Sequence, residues 1–442
     1  MVKEGYKQTE VGVIPEDWSV EKFQDITEVI TCGLAATPKY VTETIGKPFL
    51  SAQNVRDGRV VYENYKFIGR DLFNQITKHN KPSKGDVLYT RVGAGIGEAG
   101  VIEDDFEFAI YVSLTLIKPK LSKLDSYFIA HLLNSSRFRF LAKNGLFAGA
   151  GVQNLNVEVV RNFAIPLPSS EEQRSISQAL SDVDALIAGL DKAIAKKRAI
   201  KTATMQQLLT GKTRLPGFGE GKGDQQTEVG SIPEDWQVCY LEDLTSAPIT
   251  YGVLKPGDYF PNGIPLLQIK DVIHGEIDIQ ELHRIGKQLD SQYSRTRLFG
   301  GEIVVSLVGT IGKIAYIPDS LAGANLHRNL AKISLSPSNS SKFIFYQLES
   351  GYIQQAIKLT TFGSTQSLLN LADLRTLLII TPSLPEQTAI ATVISDMDAE
   401  IAALETRLAK TQSIKQGMMQ QLLTGKVRLK IEVSMNAGRE DD

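Results

Sequence analysis

Two stretches of the chain, residues 171–209 and 386–423, carry hydrophobic residues at alternating steps of four and three positions. A hydrophobic residue about every 3.5 positions forms one apolar stripe along an α-helix, and pairing with another helix buries that stripe. The pattern therefore predicts two long helices that pair through a shared seam. The seam residues are Ile176, Leu180, Val183, Ile187, Leu190 and Ile194 in the first stretch, and Ile390, Ile394, Met397, Ile401, Leu404 and Leu408 in the second.

The sequence also repeats with a period of about half its length. Thr9–Trp18 returns as Thr227–Trp236 with nine of ten residues identical, and Met205–Lys212 returns unchanged as Met419–Lys426. The second pair of segments closes the two predicted helices, and its glycines suit helix C-caps. The repeat predicts two copies of one structural unit.

Each half contains further elements ahead of its long helix. Short β-branched runs bounded by glycine, at 86–92 and 302–308, predict strands. Amphipathic segments at 126–141 and 341–359 predict helices. Each half is therefore predicted to be a mixed α/β domain followed by one long helix.

The order of these parts predicts the architecture. The first long helix leaves the first domain and leads to the second, and a pseudo-twofold repeat returns the second helix to the first domain. We predict an α/β (α+β mixed) fold with two similar domains, two long antiparallel coiled-coil helices about 58 Å long, pseudo-twofold symmetry and circular topology. The predicted boundaries are 1–168 for domain 1, 169–212 for helical spacer 1, 213–226 for the linker, 227–383 for domain 2, 384–429 for helical spacer 2 and 430–442 for a flexible tail.

Composition narrows the classes of protein. The chain has 442 residues, 42% of them hydrophobic and 22% charged, which is typical of a globular protein with several domains. The polar N-terminus and the lack of a long apolar run indicate neither export nor a membrane partner. Two cysteines form no disulfide framework, so we expect a cytoplasmic protein. The net charge of −2 does not favour nucleic-acid binding, although local basic patches matter more than the total.

No motif predicts catalytic chemistry. Residues 95–100 match G-x-G-x-x-G, but a β-like run follows instead of a helix, which favours a tight turn. Residues 147–151 resemble a methyltransferase glycine loop without its partner element, and residues 211–213 suit a helix cap better than a P-loop. The histidines lack the spacing of metal ligands. We therefore predict no catalytic residue and no metal site.

The repeated segments resemble the specificity subunit of type I restriction-modification systems. Each long helix opens with Pro and Glu-Gln and closes with Gln-Gln-Leu-Leu-Thr-Gly-Lys, and each half begins with Thr-Glu-Val-Gly-x-Ile-Pro-Glu-Asp-Trp. The resemblance covers essentially the whole chain. It implies two target recognition domains, each binding one half of a bipartite, asymmetric site in double-stranded DNA, on a chain that is not itself an enzyme.

The same resemblance implies partners. Two modification subunits, similar to adenine-N6 methyltransferases, would dock on the paired helices, and restriction (translocase-nuclease) subunits would join them. S-adenosylmethionine, ATP and Mg are implied for these subunits, and no cofactor for this chain. A bipartite protein-binding scaffold without a DNA role remains an alternative. A lone nuclease or methyltransferase is a further alternative, which the lack of catalytic motifs disfavours.

Candidate DNA-contacting residues come from polar turns and glycine-rich segments. Arg and Lys suit guanine edges, whereas Asn and Gln suit adenine edges. An ordinary solvated loop remains an alternative for each position. The candidates are Gln53, Asn54, Arg56, Arg91, Gln153, Asn154, Lys270, His274, His327, Arg328, Thr365 and Gln366.

A basic cluster lies near the middle of the first long helix, at Lys196, Lys197, Arg198 and Lys201. It can be the solvated flank of the coiled coil. It can equally contact DNA that passes over the spacer, or a methyltransferase subunit. The sequence leaves both interpretations open.

Overall fold

The computed structural model describes residues 3–149, 152–273, 275–361 and 368–429, and the chain divides into two compact units. Unit 1 comprises residues 1–191 and 406–442, and unit 2 comprises residues 192–405. Each unit therefore contains one α/β head and parts of both long helices. We call residues 3–169 head 1 and residues 224–383 head 2. The predicted domain boundaries stay a prediction, and the predicted tail at 430–442 lies outside the described residues.

Head 1 contains a six-stranded sheet, a three-stranded sheet and three strand pairs among its described residues. The six strands, in spatial order, are Thr27–Cys32, Leu114–Pro119, Val87–Thr90, Ala99–Val101, Arg59–Val60 and Val55–Arg56. The three are Ala109–Ile110, Gly46–Leu50 and Lys66–Gly69. The pairs are Tyr6–Thr9 with Gly12–Pro15, Ser19–Lys22 with Ala164–Leu167, and Leu146–Gly149 with Val152–Leu155. The helices are Arg70–Thr77, Ser126–Asn134, Ser136–Asn144 and Val157–Arg161.

Head 2 repeats this plan with a four-stranded sheet. In spatial order the four strands are Thr250–Tyr251, Leu330–Ile333, Ile303–Ser306 and Ile314–Tyr316. A three-stranded sheet contains His283–Ile285, Ile264–Leu267 and Asn325–Leu326. The described strand pairs are Asp224–Thr227 with Gly230–Pro233, Gln237–Tyr240 with Leu378–Thr381, and Val272–Ile273 with Glu276–Ile277. The helices are Lys287–Gln292, Ser341–Glu349, Gly351–Thr361 and Leu371–Arg375.

The predicted glycine-bounded strands lie in the middle of the main sheets and are buried on both faces. Because side chains alternate along a strand, Val87 and Tyr89 join the core that contains Trp18, whereas Leu88 joins a second core on the other face with Leu50. Strand Ile303–Ser306 divides its side chains between two cores in the same way. The main sheet of each head therefore lies between two hydrophobic layers.

The two predicted amphipathic helices are each interrupted. The first ends at Asn134 and resumes at Ser136, and the second ends at Glu349 and resumes at Gly351. At the break, Ser135 and Ser350 have extended backbone with ψ of 155° and 146°. A single extended residue redirects the chain while the hydrophobic periodicity continues on both sides, so the pattern alone predicted one helix.

The long helices extend over Ser170–Leu208 and Leu384–Leu422, and they run antiparallel within each unit. In unit 1, Asp184 forms an ion pair with Lys415 at 2.6 Å, while Ile176 shares a core with Leu422. The residue numbers thus rise along one helix as they fall along the other. In unit 2 an ion pair joins Lys201 to Asp398 in the same sense.

The seam residues differ in burial. Those that are buried are Ile176, Leu180, Leu190, Ile194, Ile390, Ile394 and Ile401. Those that are half-buried are Val183, Ile187, Met397, Leu404 and Leu408. Near each helix start the seam packs into the core of the adjoining head as well as on the other helix. The pairing of Leu190 with Leu404 stays a prediction.

Three cations of the basic cluster pair with carboxylates of the second helix. Within unit 2, Lys197 lies 2.7 Å from Glu400, and Arg198 lies 2.5 Å from Glu405. Lys201 pairs with Asp398, as described above. These contacts favour the interpretation of the cluster as a flank of the helix pair.

A buried glutamate in unit 1 forms hydrogen bonds with two distant parts of the chain. Glu172, in the first turn of the first long helix, is 2% exposed. It accepts a hydrogen bond from Trp18 Nε1 at 3.0 Å and from Arg428 Nε at 2.5 Å. Arg428 also donates two hydrogen bonds to Asp17, at 2.9 and 2.8 Å, which hold the pKa of that carboxyl below its usual value. We call these four residues, and their equivalents in unit 2, the glutamate clamp.

Unit 2 contains the same clamp. Glu386 accepts from Trp236 Nε1 at 3.2 Å and from Arg214 Nε at 2.6 Å, and Arg214 also holds Asp235. In both units the arginine follows the end of one long helix and the glutamate begins the other. The clamp therefore ties a helix end, a helix start and the opening hairpin together.

Glycine is required where each helix end meets its clamp. Gly425 and Gly211 have φ of +66° and +72°. A Cβ atom at either position would lie 2.5 Å from the ring of Pro15 or Pro233. Positive φ and close contact explain why both helix-closing segments have glycine at this position.

A second network joins each head to both long helices. In unit 1, His131 Nε2 lies 3.3 Å from Ser181 Oγ, and His131 Nδ1 lies 3.9 Å from Asp184, the partner of Lys415. In unit 2, Tyr346 takes the place of the histidine and donates to Asp398 at 2.8 Å. Burial lowers the pKa of His131 to about 4, so the two junctions differ in their response to acid.

We predict that Arg428→Ala lowers the free energy of unfolding by roughly 2 kcal/mol, because it leaves the buried Glu172 carboxylate with an unmet hydrogen bond. Denaturant unfolding of the full chain measures this loss. Lys426→Ala, which removes an exposed cation two residues away, is the control. Equal losses in both variants would show that the clamp contributes nothing specific.

We also predict that His131 destabilises unit 1 in acid. Its folded pKa is depressed from 6.5 to about 4, so unfolding takes up a proton and stability falls as the pH drops from about 6.5 toward 4. The melting temperature of His131→Gln should therefore decrease less between pH 7 and pH 5 than that of the unsubstituted protein. His79→Gln, at an exposed histidine, should behave like the unsubstituted protein; a His131→Gln curve that does the same would refute the assignment.

Candidate nucleic-acid interface

Four loop segments of head 1 are joined by hydrogen bonds. They are the polar turn 51–56, the segment around Arg91, the segment 111–113 and the strand pair Leu146–Gly149 with Val152–Leu155. Ala52 N donates to Ser113 Oγ at 2.9 Å, and Arg91 N donates to Ser113 O at 3.0 Å. Leu155 N in turn donates to Arg91 O at 3.0 Å. The sequence candidates of this half thus come together in one cluster of loops.

Head 2 builds the same frame from different residues. Leu307 N donates to Asn329 O at 2.8 Å, and Leu369 N donates to Leu307 O at 2.9 Å. His327 N donates to Leu267 O at 2.9 Å, as Tyr111 N does to Leu50 O at 2.8 Å. The backbone frame is therefore duplicated although the side chains differ.

A close backbone contact within each head shows which positions of the two heads correspond. Leu34 N donates to Ile110 O and accepts at its carbonyl from Val112 N; Val253 does the same with Leu326 O and Arg328 N. At Gly252, which precedes Val253, a Cβ atom would lie 1.8 Å from Leu326 O, and at Gly33 the corresponding distance to Ile110 O is 2.1 Å. Only glycine fits. The matched bonds place Tyr111 and Val112 where head 2 has His327 and Arg328.

The polar turn of head 1 contains one structural amide and two exposed candidates. Asn54 is fully buried: its Oδ1 accepts from Ser51 N at 3.0 Å, and its Nδ2 donates to the carbonyls of Val61 and Glu63. Its hydrogen-bonding groups hold the turn and are not available to a base. Gln53 and Arg56, in contrast, are exposed.

Arg91 also holds loops together. Its side chain is buried, and Nε donates to Leu155 O at 2.9 Å while Nη1 lies 3.4 Å from Val112 O. Asn154 is half-buried, with an enclosed Oδ1 that has no partner among the described residues. Gln153 lies in a described strand, but its side chain is outside the described part. Arg91 therefore positions neighbouring loops and does not face solvent.

Head 2 presents Lys270 and Arg328 as exposed candidates. His327 is half-buried, and its Nδ1 accepts from Asn329 N at 3.3 Å. Asp271 is the structural equivalent of Asn54, since it caps its turn by accepting from Gln268 N at 2.8 Å. The other three candidates fall outside the described residues: His274, Thr365 and Gln366.

Both heads have a tyrosine contact at equivalent positions that the polar turns and glycine-rich segments did not indicate. Lys66 Nζ lies 4.2 Å from the ring centre of Tyr40, and the rings of Tyr259 and His283 are 5.9 Å apart. Strand pairing places Lys66 and His283 at equivalent positions. Tyr259 is 57% exposed. The signal was present, because each tyrosine is seven residues after the glycine of an Ile-Thr-x-Gly motif.

These loops combine exposed cations, amides and aromatic rings, which is a suitable surface for nucleic acid. Arginine, lysine and glutamine hydrogen-bond base edges or phosphates, and exposed aromatic rings can stack on bases. Among the described residues, no group of histidine, cysteine or acidic side chains is arranged to hold a metal ion.

The model of the type I restriction modification DNA specificity domain matches the chain twice, over residues 15–197 and 233–416. The chain belongs to this family. The two matches coincide with the two repeats, so each repeat of this specificity-domain protein is one copy of the family domain.

Similar proteins extend over most of the chain. The putative type I restriction enzyme MjaX specificity subunit of Methanocaldococcus jannaschii is 29% identical over 442 residues, covering 97% of this chain and 98% of the relative. The EcoBI specificity subunit of Escherichia coli is 28% identical over 306 residues, covering 65% and 63%. The crystal structure of the S subunit from M. genitalium superposes with a TM-score of 0.57 at 16% identity, covering 92% of this chain and 96% of that one. The specificity-subunit fold therefore extends over nearly the whole chain.

We predict that Asn54→Ala destabilises the protein by about 1–3 kcal/mol, because three backbone groups lose their partner. Gln53→Ala, at the exposed neighbouring position, removes one solvent-exposed hydrogen bond to Asn64 O and should cost less than Asn54→Ala. Denaturant unfolding of both variants tests the structural role. Full stability of Asn54→Ala would return this residue to the group available for DNA contact.

Proposed function

We propose that this chain is the sequence-specific DNA-binding specificity subunit of a type I restriction-modification complex. Each head binds one half of a bipartite, asymmetric site in double-stranded DNA through its loop cluster. The chain itself contributes recognition, and catalysis belongs to its partner subunits.

The duplicated loop frame carries this proposal. A protein that binds two different half-sites needs the same backbone placement twice, together with different side chains at the contact positions. The matched pairs Tyr111 with His327 and Val112 with Arg328 have these properties. A solvated loop has no need for such a frame, in which glycine is required at Gly33 and Gly252.

The long helices join the heads along the chain and fit the task of docking partners. We propose two modification subunits, which would transfer a methyl group from S-adenosylmethionine to adenine, and restriction subunits that use ATP and Mg. Among the described residues no helix is long and apolar enough to span a membrane. We propose a cytoplasmic location because the chain would act on DNA there.

Co-purification with a modification subunit, followed by sequencing of methylated sites, tests the proposal. A bipartite, asymmetric methylated site supports it. A complex that binds protein partners but methylates no specific site would favour the alternative, a bipartite protein-binding scaffold.

We predict that Arg56→Ala and Lys270→Ala each weaken binding to the specific duplex about tenfold, the loss of roughly one polar base or phosphate contact. Gel-shift titration of the assembled complex measures this. Lys342→Ala removes an exposed lysine from the start of a head 2 helix and should bind normally. If both variants bind like the Lys342→Ala control, these two side chains make no DNA contact.

A further inference from the structure

Arg328 lies at the tip of a tightly held turn in head 2. Leu330 N donates to His327 O at 2.9 Å, which closes the turn. Arg328 N donates to Val253 O at 2.9 Å, and the carbonyl of the next residue, Asn329, accepts from Leu307 N. The backbone that carries Arg328 is therefore fixed on two sides by neighbouring segments.

The Arg328 guanidinium is available for a ligand. The residue is exposed, and its side chain forms no hydrogen bond or ion pair with the described residues. Arg91, Arg214 and Arg428 differ, because each of these donates to a carbonyl or carboxylate of its own unit. A guanidinium without a partner in its own unit, carried by a fixed backbone, can donate two parallel hydrogen bonds to a planar ligand.

Aromatic rings lie on the segments next to Arg328. His327 precedes Arg328 and donates from its backbone N to Leu267 O, and strand pairing places His283 opposite the preceding residue, Leu266. Tyr259 packs edge-on against His283. His283 Nε2 is enclosed and has no hydrogen-bond partner among the described residues. A surface that only holds the phosphate backbone needs several cations. One arginine beside rings suits the edge of a base.

Head 1 differs at the matched position. Val112 occupies the place of Arg328 in the same closed turn, where Leu114 N donates to Tyr111 O at 2.9 Å. Valine has no side-chain donor. The two heads therefore share a frame that carries a side-chain donor at this position in head 2 and none in head 1.

We propose that Arg328 is a specificity-determining residue that hydrogen-bonds the O6 and N7 atoms of a guanine in the half-site bound by head 2. Bidentate contact with guanine is the common role of arginine in the major groove. Val112 leaves head 1 without this contact. The proposal rests on the proposed function, and it adds the identity of one contacted base and the residue that selects it.

The test uses the full chain assembled with modification subunits and a duplex library randomised in both half-sites. Bound duplexes are sequenced for the unsubstituted protein, Arg328→Val and Arg328→Gln. Arg328→Val should lose about tenfold or more of the preference for guanine at one position of one half-site. Arg328→Gln should shift that position toward adenine, and the other half-site should stay unchanged. Arg295→Val removes an exposed arginine outside the loop cluster and should keep every preference.

Binding at several salt concentrations separates base from phosphate contact. A phosphate contact would weaken binding to all sequences equally and reduce the salt dependence, and this result would overturn the proposal. Unaltered base preferences in Arg328→Val would overturn it as well. Thermal unfolding confirms that the variants are folded. A failure of the proposed function has its own signature, since the unsubstituted complex would then select no sequence at all.

Discussion

The desolvated carboxylate of Glu172, and its copy Glu386, imposes the constraint on which the fold depends. A buried charge is costly unless it is paired and hydrogen-bonded. Here the required donors come from a tryptophan near the beginning of the repeat and from an arginine beyond the end of the opposite helix. Satisfying one carboxylate thus brings three distant parts of the chain together. This requirement explains why both halves keep the Asp-Trp pair at 17–18 and 235–236.

Backbone and side chains divide the work in the loop clusters. Main-chain hydrogen bonds and close glycine contacts set the position of each loop, so most side chains in the cluster are free to differ between the heads. Where a side chain does hold the frame in head 1, head 2 has either another hydrogen-bonding side chain or a buried apolar side chain at the equivalent position. Asn54 has an acidic equivalent in Asp271 that caps the same turn, whereas the position of Arg91 is taken in head 2 by Leu307, which is buried.

The parts of the structure that depend on local periodicity and on repetition could be predicted from the sequence. The long helices, the duplicated units and the central strands follow from spacing alone. The breaks at Ser135 and Ser350 did not, because one extended residue leaves the hydrophobic period intact. The roles of Asn54 and Arg91 could not be inferred either, since composition does not show whether a polar group faces solvent or its own backbone. The contact between Tyr259 and His283 depends on the pairing of strand Ile264–Leu267 with strand His283–Ile285, which local periodicity does not indicate, although the matched glycine and tyrosine spacing was visible.

The glutamate clamp anchors each head at both ends of its chain segment. The chain leaves the clamp of unit 1 after Trp18 and returns to it at Glu172, so everything between these residues is a closed insertion anchored at both ends. The same holds between Trp236 and Glu386. A head of different sequence can therefore be held by the same anchoring residues, provided that it keeps the contacts with the long helices that His131 and Tyr346 make. Under the proposed function, replacing one head would change the half-site that is bound, while the long helices and the glutamate clamps stay the same.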